Sequence, residues 1–492
     1  MLRAAILLVG ALCLARPASA RQVPVASATA LRSACQAALP GDSILIAPGT
    51  YTWSSGLSRI LVKNRPGPVL VRGITGLPAD VVVRGAGQDS LRIQMIFNLD
   101  DCPRWTFEAI TTSATYYHGF KFDHGSTDCA LRNVVMRDHG ESGVKGTSDP
   151  GSGRYPDRLL VEHCDIGFTS PAGGTRSVVE GVDGIGVNDW VIRRNRFVNI
   201  QKGGGPAYAA FTKGNASNTL VDGNVFEDCF IGASFGGGGT GAGYFRDFDT
   251  TYEHRGGIIR NNIVIRSSDA AVYVNKGRDC KVYNNTVFEC AAAIQLRFTE
   301  STGWVRNNLV KRPPSNPSQP LVELRNGATA LANEANLAAT DADFILPAGS
   351  PSSLDLHLHT ASSKIDAGVA VGTDVPTDVD GAARPAGAGF DVGADEWATP
   401  TDASQPRDAL PGTLIVLPRF VRRGSVAEVL LEGSNAGPCT VFDAAGRRVM
   451  AFVIPPDARS YAAPVGRLPV GTYWLQVGKG ASARAGRVVV VP

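Results

Sequence analysis

One short pattern, apolar-x-x-Asn-x-apolar, returns along the middle of the chain and limits what the chain can fold into. It appears as ALRNVVM at Asn133, VIRRNRF at Asn195, LVDGNVF at Asn224, IIRNNIV at Asn262, VYNNTVF at Asn285 and VRNNLV at Asn308. LVEHCDI puts Cys164 in the same place. The successive intervals are 31, 31, 29, 38, 23 and 23 residues. A unit of 23 residues holds three short strands and three turns, too little to bury its own Val, Ile, Leu and Phe. Coils stacked about 4.8 Å apart bury them together and let backbone groups pair between turns. The longer intervals read as the same coil with a loop inserted. Asn at a fixed corner tolerates a left-handed backbone there, and stacked Asn side chains can hydrogen-bond along the column. A propeller or leucine-rich repeat would show a steadier period and its own signature residues. The expected fold is all-β: a right-handed parallel β-helix.

The flanks set the boundaries. MLRAAILLVGALCLARPASA has a positive start, an apolar run and a small-residue cleavage site, so residues 1–20 read as a signal peptide. The mature protein is then expected outside the cytoplasm, secreted or on the cell surface. No later run reaches the roughly 20 apolar residues of a membrane span. Cleavage removes Cys13 and leaves eight cysteines at irregular spacing with no CxxC pair. They read as small buried core residues, although disulfides are permitted in an exported chain. ALRSACQAAL, residues 30–39, is a short amphipathic helix ahead of GDSILIAPGTY, and this order resembles the cap and first coil of many secreted β-helix proteins. After Pro313-Pro314 the Asn pattern fades, and SSLDLHLH and SSKIDAG read as ragged final coils. GFDVGADEW, residues 389–397, resembles the segment that closes many bacterial β-helices. The β-helix is therefore placed at 21–397 and a Pro- and Asp-rich linker at 398–411.

From 412 to 492 the pattern changes to TLIVL, AEVLL, CTVFD and TYWLQV with turns between them, a small immunoglobulin-like β-sandwich. VFDAAGRRV followed by LPVGTYWLQV resembles the C-terminal sorting modules of the type IX secretion system. That resemblance implies an export machinery as partner; a plain spacer domain is the alternative.

The formal net charge is +3, with no basic run or aromatic-basic stripe, so no nucleic-acid partner is expected. Counting back from each corner Asn finds a polar residue near one turn of successive coils. Asp183 lies 12 before Asn195, Lys213 11 before Asn224, Lys276 9 before Asn285 and Arg297 11 before Asn308, and Lys145 extends the set. The largest insertion, GASFGGGGTGAG then YFRDFDTTYEHRGG, falls between Asn224 and Asn262. It carries Arg246, Asp247, Asp249, His254 and Arg255, and is expected to overhang the charged column. Asp247 and Asp249, with Asp183, are candidate calcium ligands, without the spacing of a dedicated calcium loop.

Cations beneath a loop rich in acids and bases suit an anionic chain. A polysaccharide lyase removes the proton beside a uronic carboxylate and expels the glycosidic oxygen. Neighbouring cations lower a lysine's pKa toward a useful base. AAFTKGNASNTLVDGNVFEDC, with GASFGGGG and HRGGIIRNN, resembles a group of bacterial right-handed β-helix proteins and, more distantly, the alginate lyase and chondroitinase B group. That likeness implies Lys213 as base. The Arg-His pair of that group is replaced here by Ser234-Phe235-Gly236-Gly237, leaving Arg246, His254 or Arg255 as substitutes. Lys276, Arg297, Asp183 and Lys145 are the expected substrate contacts. The expected function is a lyase on an acidic polysaccharide. Two alternatives stay open: a non-catalytic glycan-binding or adhesin-like β-helix, and a two-carboxylate glycoside hydrolase. The Asn-Thr-Asp, Gly-His-Gly and Arg-x-Pro-x-x-Arg signatures of related enzymes are absent.

Overall fold

The computed structural model describes residues 21–397, apart from 54–57, 204, 238, 350 and 352–353, together with parts of 414–491. The signal peptide and the 398–411 linker lie outside the described residues. Each coil gives one strand to each of three parallel sheets. Sheet 1 runs from Gln22–Val25 to Thr329–Glu334, sheet 2 from Gly49–Thr52 to Leu337–Ala339, and sheet 3 from Ile60–Lys63 to Val322–Arg325. The parallel β-helix is therefore the observed fold. The helix Ala28–Gln36 starts at Ser27, whose Oγ accepts from Ala30 N at 3.1 Å, and it buries Leu31 and Cys35 against the first coils.

The corner between sheets 1 and 2 is a buried amide ladder. The Oδ1 of Asn262 accepts from the backbone N and the Nδ2 of Asn224, both at 3.0 Å, while its own Nδ2 donates to Asn285 Oδ1 at 2.9 Å. The same contacts link Asn195 to Asn224, Asn285 to Asn308, and Asn308 to Asn336, which the sequence pattern missed. Two expectations need correction. Asn133 is not a rung: it precedes the ladder position, which Val134 fills in its coil. The left-handed residue is likewise the one before each ladder Asn, such as Arg194, Gly223, Asn261, Asn284 and Asn307. The ladder Asn is selected for its two-sided hydrogen bonding rather than for its backbone. Asn262→Ala would orphan the buried amide of Asn224 and is expected to lower the unfolding free energy by about 2–4 kcal/mol in urea titration. A change below about 1 kcal/mol would show that the ladder is ornamental.

On the outside of sheet 1 the coils carry opposite charges in register. Arg132 and Arg193 both reach Glu162 at 2.7 Å, Arg260 reaches Asp222 at 2.9 Å and Arg306 reaches Glu334 at 2.8 Å. An exposed pair such as Arg306–Glu334 adds at most about 1 kcal/mol, and like charges brought opposite one another would disfavour a slipped register.

Sheet 3 has a feature that no alternation rule shows. Its pairing steps over one residue per strand: Ser142 pairs with Glu180, then Val144 with Val182, skipping Gly143 and Gly181. A Cβ at Gly181 would stand 2.4 Å from the Ala209 carbonyl oxygen and 2.8 Å from the Phe197 ring. Each strand kinks there, so residues three apart, rather than two, share the outer side. The Tyr208 and Phe211 rings stack at 4.2 Å for this reason.

All eight cysteines from Cys35 to Cys439 are buried and free. The stretch expected to form final coils does otherwise. Phe344–Leu346 and Asp355–Leu358 pair antiparallel, and residues through Trp397 pack sideways on the outer face of sheet 2, over Ile263, Phe288 and Leu309. GFDVGADEW does not close the end of the cylinder. Its backbone is held by the left-handed corner residues, with Asn284 Nδ2 donating to Asp391 O at 2.9 Å and Gly393 N donating to Asn307 O at 2.8 Å. The described parts of 414–491 form a small sandwich of a three-stranded antiparallel sheet and a largely antiparallel five-stranded sheet. No described helix is long and apolar enough to cross a membrane.

Candidate functional site

The kinked sheet 3 presents two outer rows side by side. One passes through Lys121, Lys145, Asp183, Phe211 and, two strands on, Tyr273. The next carries Ile185 opposite Lys213 and, further along, Asn275, Arg297 and Arg325. The expected single column is thus two. Lys213 and Arg297 share a row and Lys276 follows Asn275 by one residue, but Asp183 and Lys145 belong to the neighbouring row. Turns of unequal length between sheets 3 and 1 made a count from the corner drift by up to two residues.

Toward the N-terminal end lies a covered charge cluster. Lys145 Nζ contacts Asp183 and stands 3.6 Å from Glu141 Oε1. Burial opposes the lysine's charge, but Asp183, Glu180 and Glu141 outweigh it and hold its pKa above the ordinary value. Burial, reinforced by Asp183, pushes Glu180 up to about 8 against the pull of Lys145. Burial thus favours its protonated form. Its Oε2 and the Oδ1 of Asp183 have no hydrogen-bond partner among the described residues. Lys213 is only 9% exposed, with its ammonium 4.6 Å from the centre of the Phe211 ring. Sequence reasoning missed Glu141 and Glu180, because neither falls at the counted distance from a corner.

Toward the C-terminal end the same face opens into a groove of about 750 Å³. Lys276, Arg297 and Arg325 line it together with the aromatic rings of Tyr208, Tyr273 and Phe298. Two carboxylates, Glu253 and Asp269, also face it. Lys276 is paired with Glu300 at 3.1 Å. Arg297 is different. It donates to Asn326 Oδ1 at 3.2 Å and Tyr273 Oη at 3.4 Å, packs 4.7 Å from the Phe298 ring centre, and has no carboxylate within ion-pair distance among the described residues. Tyr273 Oη also accepts from Asn275 Nδ2 at 2.9 Å, so its lone pairs are occupied and its own O–H is left for a ligand. Tyr208 and Tyr273 had a readable signal, each falling in a strand beside an apolar alternation, but only the register shows that they meet.

The large insertion does form one wall of the groove, through Thr240, Phe245 and Glu253. Its charged residues are spent on holding it there. Arg246 grips both oxygens of Asp157 at 2.8 and 3.0 Å and lies 3.8 Å over the Tyr155 ring, and Asp247 accepts from Tyr155 Oη at 2.7 Å. Arg255 pairs with Asp249. Arg246 and Arg255 are thus structural ties rather than groove groups. Asp247 and Asp249 turn to different partners, do not converge with Asp183, and so do not fit a shared calcium ion. His254 is buried: its ring stacks 4.0 Å from Phe235, and burial drives its pKa down to about 3. A neutral imidazole sealed in the wall cannot meet a substrate. Lys213 is absent from the groove lining.

No protein family matches the chain by sequence, and no curated protein matches it either. Among solved structures, the pectate lyase Pel9A is 15% identical with a TM-score of 0.47, covering 77% of this chain and 97% of that one. The alginate lyase from Paenibacillus sp. str. FPU-7 is 17% identical with a TM-score of 0.41, covering 63% and 99%. The Streptococcus pneumoniae surface protein and adhesin PfbA is 12% identical with a TM-score of 0.34, covering 63% and 94%.

Proposed function

We propose that this protein is a polysaccharide-active β-helix that binds an acidic sugar chain in the sheet 3 groove and cleaves it by β-elimination. The observation that carries the reading is Arg297, a guanidinium facing a groove lined by aromatic rings, held by an amide and a phenol and lacking a carboxylate of its own. A uronic carboxylate is the complement to that fork. Arg325 and Lys276 add positive potential alongside, and Phe298, less buried than the Tyr208 and Tyr273 rings, offers apolar surface beside a bound chain. Tyr273, whose O–H has no acceptor among the described residues, is placed to give a proton to the leaving sugar oxygen, an acid's part rather than the base's part expected of Lys213. In the elimination, the proton beside the uronic carboxylate goes to the enzyme, the C–O bond to the leaving sugar breaks, and that oxygen recovers a proton.

A two-carboxylate hydrolase is the second reading, and it is the weaker one, because of the two lining carboxylates Glu253 is buried and accepts from Gly214 N and Thr240 Oγ1 at 2.8 and 3.0 Å, leaving Asp269. Incubation with alginate, pectate and chondroitin separates the two: elimination raises the absorbance of an unsaturated product, and hydrolysis releases reducing ends without it. Arg297→Gln is expected to weaken binding of the productive chain roughly tenfold or more, read by calorimetry, with unfolding unchanged. Binding without any product across the panel would leave a glycan-binding protein and end the enzymatic reading. Binding that ignores Arg297 would end the site assignment.

A further inference from the structure

The two ends of the cylinder are treated differently. The helix Ala28–Gln36 covers the first. At the other end, Val322–Arg325, Thr329–Glu334 and Leu337–Ala339 are each the last strand of their sheet, so among the described residues each leaves one hydrogen-bonding edge open. The core is open there too. Leu324 continues an inward row through Val274 and Leu296, both essentially inaccessible, yet is itself 45% exposed, and Leu331 is 48% exposed. The segment 344–397 does not help, because it lies along the side of sheet 2.

The same chain carries a second open edge. In the sandwich, Arg448–Ile454 is the end strand of the five-stranded sheet and, among the described residues, pairs only with Gly437–Asp443. Its outward row exposes Val449 by 40% and Val453 by 66%. We propose that the sandwich, residues 414–491, docks on the open end of the β-helix, edge strand against last coil, and serves as its missing cap. Open strand edges invite a further strand, and apolar rows on both sides supply the burial. The tether selects this partner. Trp397 packs on the same apolar cluster as Leu337 and Ala339 of the last coil. The 16 residues from 398 to 413 span at most roughly 55 Å. Such a tether gives an effective concentration of about millimolar, which a second molecule does not reach in dilute solution. This inference goes beyond the groove and does not depend on its chemistry.

Amide hydrogen exchange on the full chain tests it. The outward-pointing amides of Thr329–Glu334 are expected to be protected. Val453→Asp, at an exposed site of the sandwich, should speed their exchange tenfold or more while leaving the central strand Val179–Ile185 unchanged. Leu331→Asp should do the same to Arg448–Ile454, and Val449→Asp serves as the second sandwich variant, with Trp474 fluorescence reporting that the sandwich stays folded. Exchange of Thr329–Glu334 that is fast from the outset, or equal in wild type and both sandwich variants, overturns the proposal. So does protection that rises with protein concentration, which would mean a second copy stacked end to end.

Discussion

Lys145→Met is expected to lower the unfolding free energy by about 3–5 kcal/mol at neutral pH. Among the described residues the lysine is the only cation in contact with Asp183, which is fully buried, and it stands beside Glu141 and Glu180. Methionine keeps the volume and removes the charge, leaving the buried Asp183 without compensation. Glu180 gives the wild-type protein its own pH signature. Burial raises its folded pKa to about 8 from an unfolded 4.5. Between those values the folded state binds the extra proton, so stability falls as pH climbs from about 4.5 to about 8 and then levels off. Glu180→Gln should flatten that slope. Urea unfolding at several pH values reads both variants. A Lys145→Met protein as stable as wild type at pH 7 would mean that the cluster is open to water.

Arg384→Met should have a comparable effect on a different part of the molecule. The Arg384–Glu396 pair, 2.5 Å apart, is wholly inaccessible. Arg384 also donates to Gly393 O at 2.8 Å, and Glu396 accepts from the backbone N of Ala386 and Asp391. Removing the guanidinium strands Glu396 beside Asp391, which burial together with Glu396 and Asp395 already pushes up to about 7. A loss of about 3–5 kcal/mol is expected, concentrated in the segment that covers sheet 2. Arg384→Met combined with Glu396→Leu should recover much of it, since a buried pair replaced on both sides costs far less than one broken on a single side. Exchange protection across 355–397 is the local readout. If the single variant is lost no more than the double, the pair is not holding the segment.

The charge cluster and the groove share the outer side of sheet 3 but divide its work. Asp183 and Glu180 of the cluster are buried, whereas Arg297 is half-buried and lines an open groove. A pKa shift alone would have pointed to Glu180 as the reactive group. Accessibility points to the groove instead, because a catalytic group must touch its substrate.

The sequence by itself determined the coil. A unit of 23 residues that cannot bury its own side chains must stack, and Asn repeating at one corner specifies the ladder that stacking builds. The N-terminal helix, the buried cysteines and the small antiparallel sheets toward the C-terminus were legible for the same reason, since each is a local pattern with one physical solution. What the tertiary structure alone decided was which side chains meet. The kink in sheet 3 makes residues three apart share a face, and turns of unequal length shift each strand against the corner count. Asp183 and Lys145 therefore leave the row of Lys213 and Arg297, and Tyr273 comes to lie beside Arg297. The insertion's arginines and aspartates read as chemistry in one dimension. In three they are ties: Arg246 and Asp247 reach Asp157 and Tyr155 in a loop of an earlier coil, and Arg255 and Asp249 pair within the insertion itself.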